Sequence, residues 1–541
     1  MAKIIIDDKE IDCREGIPVL QAALEAGWDV PHYCYHPGLS IVASCRLCLM
    51  EMKLPHPKTR EMGWAPKLFP ACQTPVRDGL EVRFASEVVT TSRERCMEYF
   101  LLNHPLDCPV CDQAGECHLQ DYSYAFGRPA SRMVEQKQVN PKKDIGPGTL
   151  LYSDRCVMCS RCVRFTKEVS GTAELCVTSR GSRAEIDVFP GRPLDNALQG
   201  NVVDICPVGA LLDKDFLFKQ RVWFLQSAKS ICPGCSTGCA VRVDAHDGVV
   251  YRLKPRYNPG VNDWWMCDQG RFGWKYGLDG GRLSGPTVRR GASVQQANWD
   301  DIPEMITYRF EEHVAERGSA GVAVMLSPMM SCEEAWLLLS FMQKVAPEVT
   351  AVLGPVPVEG EDESFPVGAT GEAVKFVIRK EKCPNRRGVE AVMAASGCAT
   401  LEFKAFVARA GEGNVSAAWI VGGYPSADWV PGELVKAVGK IELVVVQDLF
   451  ETKLTPAAAI ALPACAFTER AGSFMNHEGR LQPFDRAVSA PDGCQSDGQY
   501  LYALAGYEGV YNAGRVRELM AATMPEFARL SEAPAVPAHQ H

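Results

Sequence analysis

The chain has 541 residues, with 57 Lys+Arg against 66 Asp+Glu and a net charge of −9. That length predicts several domains with real cores, and the mild acidity argues against a nucleic-acid partner. No apolar run is long enough to span a bilayer, and the opening "MAKIIIDDKEI" lacks the charged n-region and long apolar h-region of a secretory leader.

The first 90 or so residues read as small and β-rich. "KIIID" and "EIDC" flank Asp7-Asp8, a hairpin signal. "PVLQAALEAG" predicts a short amphipathic helix, with Pro18 at its start and Gly27 just past its end. "GLEVRF" predicts a later strand. From about 96 to 220 the chain reads as irregular, with Pro, Gly and Cys at close intervals, and a second Cys-rich unit runs from 228 to 280. Beyond 285 the texture changes. "GVAVML" predicts a strand, "CEEAWLLLSFMQKV" a helix, and "AAWIVGG" and "IELVVVQDLF" further apolar strands. This alternation predicts an α/β domain on a parallel sheet. Residues 531–541 predict a disordered tail.

All but five of the 23 cysteines precede residue 268. In a chain this large a reducing compartment and metal binding are better expectations than a disulfide scaffold. Cys34, Cys45, Cys48 and Cys72 form the first set, centred on "YCYHPGLSIVASCRLC". Four thiolates suit a two-iron cluster. The gap of ten residues after Cys34 is wider than in plant-type ferredoxins, so a zinc site and unrelated buried thiols stay open. The second set lies in "HPLDCPVCDQAGEC". Cys108, Cys111 and Cys117 supply three thiolates. A [4Fe–4S] cube needs four outside ligands, and imidazole is a competent one. His104 is either that ligand or a structural hydrogen-bonder.

The third set is Cys156, Cys159 and Cys162 with a distant Cys206 followed by Pro207. Two-cluster ferredoxins repeat C-x2-C-x2-C-x3-C-P, each last cysteine serving the other cluster. Here Thr166-Lys167 stand where the first Cys-Pro would fall, and Asn196, Gln199 and Val202 where the second triad would fall. One cluster's ligands are all gone and the other's all kept. That pattern reads as one [4Fe–4S] cluster in a scaffold built for two. The fourth set, Cys232, Cys235 and Cys239 with Cys267, again offers four thiolates, for a cube or for zinc. Cys13, Cys96, Cys176, Cys332, Cys383, Cys398, Cys465 and Cys494 lack metal spacing and read as free buried thiols.

With these sets in this order, the chain resembles the large iron–sulfur subunit of respiratory NADH:quinone oxidoreductase (complex I). The resemblance rests on "HPLDCPVCDQAGEC", "DRCVMCSRCVRF", "GNVVDICPVGAL" and "MCDQGRF". It implies a multidomain α+β and α/β chain. Residues 1–92 would be a β-grasp [2Fe–2S] ferredoxin-like domain, 93–140 a His/Cys3 [4Fe–4S] domain, and 141–222 a ferredoxin-like [4Fe–4S] domain with one cluster lost. Residues 223–284 would be a [4Fe–4S] domain of molybdopterin-oxidoreductase type, and 285–530 a trimmed, degenerate domain of the same fold. "LPACAFTERAGSFMNHEGRLQPF" resembles a stretch of those oxidoreductases. By resemblance His104 is a ligand, the cofactors are one [2Fe–2S] and three [4Fe–4S] clusters, and no molybdenum is expected.

The implied role is electron relay from NADH and flavin on a partner subunit toward quinone. No complete active site is expected in this chain, since no G-x-G-x-x-G precedes a helix and no flavin motif is evident. Implied partners are the flavin/NADH-binding and quinone-side iron–sulfur subunits, with the membrane arm reached only through them. The implied place is the cytoplasmic face of a bacterial inner membrane. Two other readings compete: an electron-transfer subunit of an NAD-linked formate dehydrogenase or hydrogenase, and a zinc-binding scaffold.

Overall fold

The computed structural model describes residues 1–179 and 181–528, so the expected tail at 531–541 lies outside the described residues. The chain forms two compact units, one of residues 1–225 and 364–376, the other of 226–363 and 377 onward.

In the first unit, β1 (Ala2–Ile6) and β2 (Lys9–Cys13) pair as an antiparallel hairpin. Asp7 and Asp8 turn it with φ of 47° and 65°, as a two-residue type I′ turn requires. α1 (Val19–Glu25) follows Pro18 and buries Val19, Leu20, Ala22, Ala23 and Leu24. β3 (Leu49–Pro55), β4 (Met62–Trp64), β5 (Phe69–Pro70) and β6 (Glu81–Arg83) complete a sheet ordered β2-β1-β6-β3-β4, with β5 against β3. β1 and β6 run parallel in this otherwise antiparallel sheet. Ile4, Ile6, Leu20 and Val82 make its core. The chain between Trp28 and β3 forms no strand and carries Cys34, Cys45 and Cys48.

The stretch read as irregular holds more helix than expected. α2 (Glu87–Leu101) begins at Ser86, whose side chain accepts from the Val89 amide. It is followed by α3 (His118–Phe126), α4 (Arg161–Phe165) and the single turn α5 (Asn201–Asp204). Strands Lys142–Asp144, Thr149–Tyr152 and Leu211–Asp213 form a small antiparallel sheet.

The second unit opens with an antiparallel sheet, Gln226–Ile231, Ala240–His246 and Val249–Pro255, followed by α6 (Asp268–Phe272). Its main body is an eight-stranded sheet. Six of those strands are parallel, in the order Ile460–Pro463, Leu443–Asp448, Ala417–Val421, Val322–Leu326, Thr350–Leu353 and Ala399–Leu401. α7 (Ile302–Arg317) and α8 (Cys332–Val345) cover one face, with Phe310 and Phe341 against Trp419. Helices Phe403–Gly411 and Gly432–Val438 cover the other. This is the expected α/β class, sealed on both faces as parallel sheets require.

α8 starts in a capping box: Ser331 and Glu334 each accept from the other's backbone amide. Around it lies a buried polar web. Arg470 pairs with Glu334 at 2.7 Å, and Arg517 with Glu333 at 2.6 Å. Asp497 is fully buried and accepts from the Cys465 amide, the Gln447 amide group and the Tyr500 hydroxyl. Burial, then the charge of Glu334, pushes the Asp497 carboxyl up to about 7 from 3.8. The folded state therefore holds a proton that the unfolded state releases. The stability this contributes is full below 3.8 and is lost as pH rises through about 7. Relative to Asp497→Asn, the wild type should lose stability across that window in chemical denaturation at stepped pH. A difference independent of pH would contradict it.

Candidate metal centres

The first set sits on the loop between α1 and β3 and on the residue pair after β5. Ala43 and Arg46 take positive φ of 52° and 60°, curling the loop back on itself. Cys34, Cys45, Cys48 and Cys72 are all buried. The Cys34 and Cys45 sulfurs are 3.5 Å apart, and the Tyr33 amide points at Cys45 Sγ. Hydrogen bonds from Cys45 and Cys72 pull the Cys34 thiol down, and one from Cys72 does the same for Cys48. The four thiols thus act on one another directly.

In the second set, Cys108 opens a turn of 3-10 helix, Cys111 closes it and Cys117 caps α3. Cys111 and Cys117 are buried while Cys108 is exposed. Burial pushes the Cys117 thiol up to about 12, with Cys111 and Cys108 adding to the rise. Arg221 donates to the carbonyls of Cys108, Pro109 and Cys111, pinning the loop. Burial pushes His104 down to about 4, helped by the charges of Arg155 and Lys137. Its ring is therefore neutral near pH 7, the form that ligates metal. The same Arg155 donates to Cys111 Sγ at 3.5 Å.

The third set lines a cavity of its own. Cys156, Cys159, Cys162 and Cys206 line one cavity, with Leu151, Val157, Ile186, Val208, Ala210 and Leu211 as its apolar walls. Met158 and Ser160 take φ of 51° and 57°, so the short triad wraps round the cavity before α4 begins. Burial raises all four thiols, Cys159 to about 11. Backbone amides of Val208, Ala210 and Leu211 oppose the rise at Cys206. The positions that lack ligands are filled by other means. Thr166 and Val202 are fully buried, Asn196 donates to Glu174, and Gln199 accepts from the Gly148 amide.

In the fourth set, Cys232 directly follows one strand, Cys239 directly precedes the next, and Cys267 caps α6. These three and Cys235 are buried, and burial, then neighbouring thiols, raises the Cys232, Cys239 and Cys267 thiols. Amides of Gly234 and Gly270 point at Cys232 and Cys267 Sγ.

The donor sets suit polynuclear iron. A cavity lined by four thiols offers one outside ligand to each iron of a cube. Of the other eight cysteines, Cys13, Cys332, Cys383 and Cys465 are buried as expected. Cys96, Cys176, Cys398 and Cys494 are only half-buried, a correction to the uniform reading. Sequence reading also passed over Arg155 and Arg221, whose roles depend on partners far along the chain.

Family comparisons agree with this order of sites. The "2Fe-2S iron-sulfur cluster binding domain" family matches residues 1–87, and the "NADH-ubiquinone oxidoreductase-G iron-sulfur binding region" matches 93–132. The "NADH-quinone oxidoreductase subunit 3, ferredoxin-like domain" matches 146–212. The "Molybdopterin oxidoreductase Fe4S4 domain" and "Molybdopterin oxidoreductase" families match 225–279 and 383–507. An NADH-quinone oxidoreductase subunit of Rickettsia bellii is 36% identical over 345 residues, 64% of this chain and 48% of that one. The chain is similar to that subunit over those residues. A mitochondrial NADH dehydrogenase iron–sulfur protein of Solanum tuberosum is 40% identical over 301 residues, 55% of this chain and 39% of its own. The chain spans about half the length of the curated relatives it matches. A chain of an NAD+-reducing [NiFe]-hydrogenase is 31% identical, covering 41% of this chain and 91% of that one, at a TM-score of 0.36.

Gly209 makes the second site testable by packing alone. A Cβ there would lie 2.3 Å from Cys111 Sγ, whereas one at Gly63 would meet nothing within 4 Å. Gly209→Ala should cost about 1–3 kcal/mol by overpacking, and Gly63→Ala should be near neutral. Thermal unfolding of both variants checks this. Equal midpoints would contradict the contact.

Proposed function

We propose that this chain is the electron-relaying iron–sulfur subunit of the peripheral arm of an NADH:quinone oxidoreductase. It carries one [2Fe–2S] cluster on Cys34, Cys45, Cys48 and Cys72. It carries three [4Fe–4S] clusters, on His104/Cys108/Cys111/Cys117, on Cys156/Cys159/Cys162/Cys206 and on Cys232/Cys235/Cys239/Cys267. Its partners are a flavin-bearing NADH-oxidising subunit on one side and quinone-side iron–sulfur subunits on the other. The chain sits at the cytoplasmic face of a bacterial inner membrane and is held there by those subunits. Among the described residues no helix is long and apolar enough to cross a membrane.

The observation that carries the reading is the enclosed, apolar cavity walled by Cys156, Cys159, Cys162 and Cys206, within a segment that matches the corresponding ferredoxin-like domain of the homologues. When bound, the clusters take up and release single electrons without bond chemistry on a substrate. The chain's residues do the rest. Thiols supply charge, apolar walls exclude water, and amides such as those of Val208, Ala210 and Leu211 hydrogen-bond to sulfur. At the second site the neutral ring of His104 stands in for one thiolate, which leaves that centre one negative charge lighter.

Low-temperature EPR of the reduced protein tests the assignment. His104→Cys should alter one cluster signal and leave the other three, with that signal now relaxing as an all-cysteine cube. Four unchanged signals would remove His104 from the ligand set.

A further inference from the structure

Of the buried arginines of the first unit, three, Arg155, Arg161 and Arg164, come from the third cysteine set's own segment. Two of them reach only backbone. Arg164 donates to the carbonyls of Cys34 and Cys159, and Arg161 to those of Tyr35 and Ile205. Arg155 is different, because its guanidinium reaches a ligand sulfur. Nη1 lies 3.5 Å from Cys111 Sγ and 3.4 Å from the Gly209 carbonyl. Nε and Nη2 donate to one oxygen of Asp107 at 3.2 and 2.7 Å. The guanidinium also packs on the Tyr152 ring, 4.0 Å from its centroid. The Arg155 side chain is 3% exposed and that of Asp107 36%.

We propose that Arg155 and Asp107 act as an opposed pair that sets the reduction potential of the cluster on His104, Cys108, Cys111 and Cys117. The inference rests on the cluster assignment above. Reduction adds one electron to the centre, supplied in the test by a dithionite-type reductant, and no bond forms or breaks. A fixed positive charge donating to a ligand sulfur stabilises the more negative, reduced form and raises the potential. Water screens it little, because the side chain is out of solvent. Asp107 binds the far side of the same guanidinium and cancels part of that effect. The carboxylate is partly solvated, so the cancellation is incomplete and the positive sign prevails at the sulfur. The arginine immediately precedes Cys156, so the third site's own ligand loop holds it in place. A group that merely braced the loop would have no preference between oxidation states.

The test is a mediated redox titration of the protein with all its clusters, followed by EPR, for Arg155→Gln, Arg155→Lys and Asp107→Asn. Arg155→Gln should shift this midpoint to more negative values. The expected size is about a tenfold change in the oxidised-to-reduced ratio at fixed potential, or about 59 mV for a one-electron couple. Asp107→Asn should shift it to more positive values. Arg155→Lys should fall between wild type and Arg155→Gln, and the first and fourth clusters should keep their midpoints. Shifts of the same sign in Arg155→Gln and Asp107→Asn, or no shift in either with the signal intact, would overturn the proposal. If Arg155→Gln loses the cluster outright, Asp107→Asn decides alone, and an unmoved midpoint there overturns it. A wild type that lacks this signal and binds zinc instead would overturn the cluster assignment beneath it.

Discussion

Thiolates brought together in an apolar cavity repel one another and lose the water that would stabilise their charge. Burial raises the thiols of Cys156, Cys159, Cys162 and Cys206, and the Cys156, Cys162, Cys232 and Cys239 thiols are raised further by their neighbours. Such a set has no reason to persist in its ligand-competent, ionised form unless a positive centre sits among the sulfurs. This conflict is clearest in the third and fourth sets, where it bears on the loops that carry the cysteines. Under the proposed cluster assignment iron supplies the missing charge, and the backbone bends around the sulfurs.

The bending has a consistent chemistry. Ala43, Arg46, Met158 and Ser160 enter the left-handed region at or beside ligand loops, although each carries a side chain. Backbone held there costs on the order of 1–3 kcal/mol per residue and survives only where its surroundings fix it. Glycines act where sulfur comes closest. A Cβ at Gly209 would collide with Cys111 Sγ, and one at Gly270 would lie 2.7 Å from Cys232 Sγ. The arginines then tie ligand loops to their neighbours through carbonyls, as Arg221 and Arg164 do. Of regular structure, only short or terminal helical turns carry these cysteines, Cys162 in α4 and Cys117 and Cys267 at helix starts, because a strand or a long helix spreads its side chains too far apart to surround one cavity.

Much of this was legible in the sequence, for identifiable reasons. The Asp7-Asp8 turn could be read because few residues tolerate positive φ in tandem. The helix Cys332–Val345 falls where its apolar run lies, since it is buried along nearly its whole length. The close triads of cysteines could be seen because their spacing is local, and the third is seen lining one cavity together with the distant Cys206. α2 was not read, and its buried stripe shows why. Val89, Arg93 and Met97 face inward, with the Arg93 guanidinium against the Phe84 and Phe126 rings. A charged residue in the middle of the stripe hides the helical period. Arg155 escaped for another reason. Its partner Asp107 lies 48 positions earlier, and Gly209 54 positions later. Only the folded chain brings them together.

Counting metal and inorganic sulfide in the purified protein tests the central claim most directly. One two-iron and three four-iron centres predict about 14 irons and about 14 acid-labile sulfides per chain, with zinc well below one. Zinc near one per cysteine set, with no inorganic sulfide, would show that these cavities hold single ions and pass no electrons.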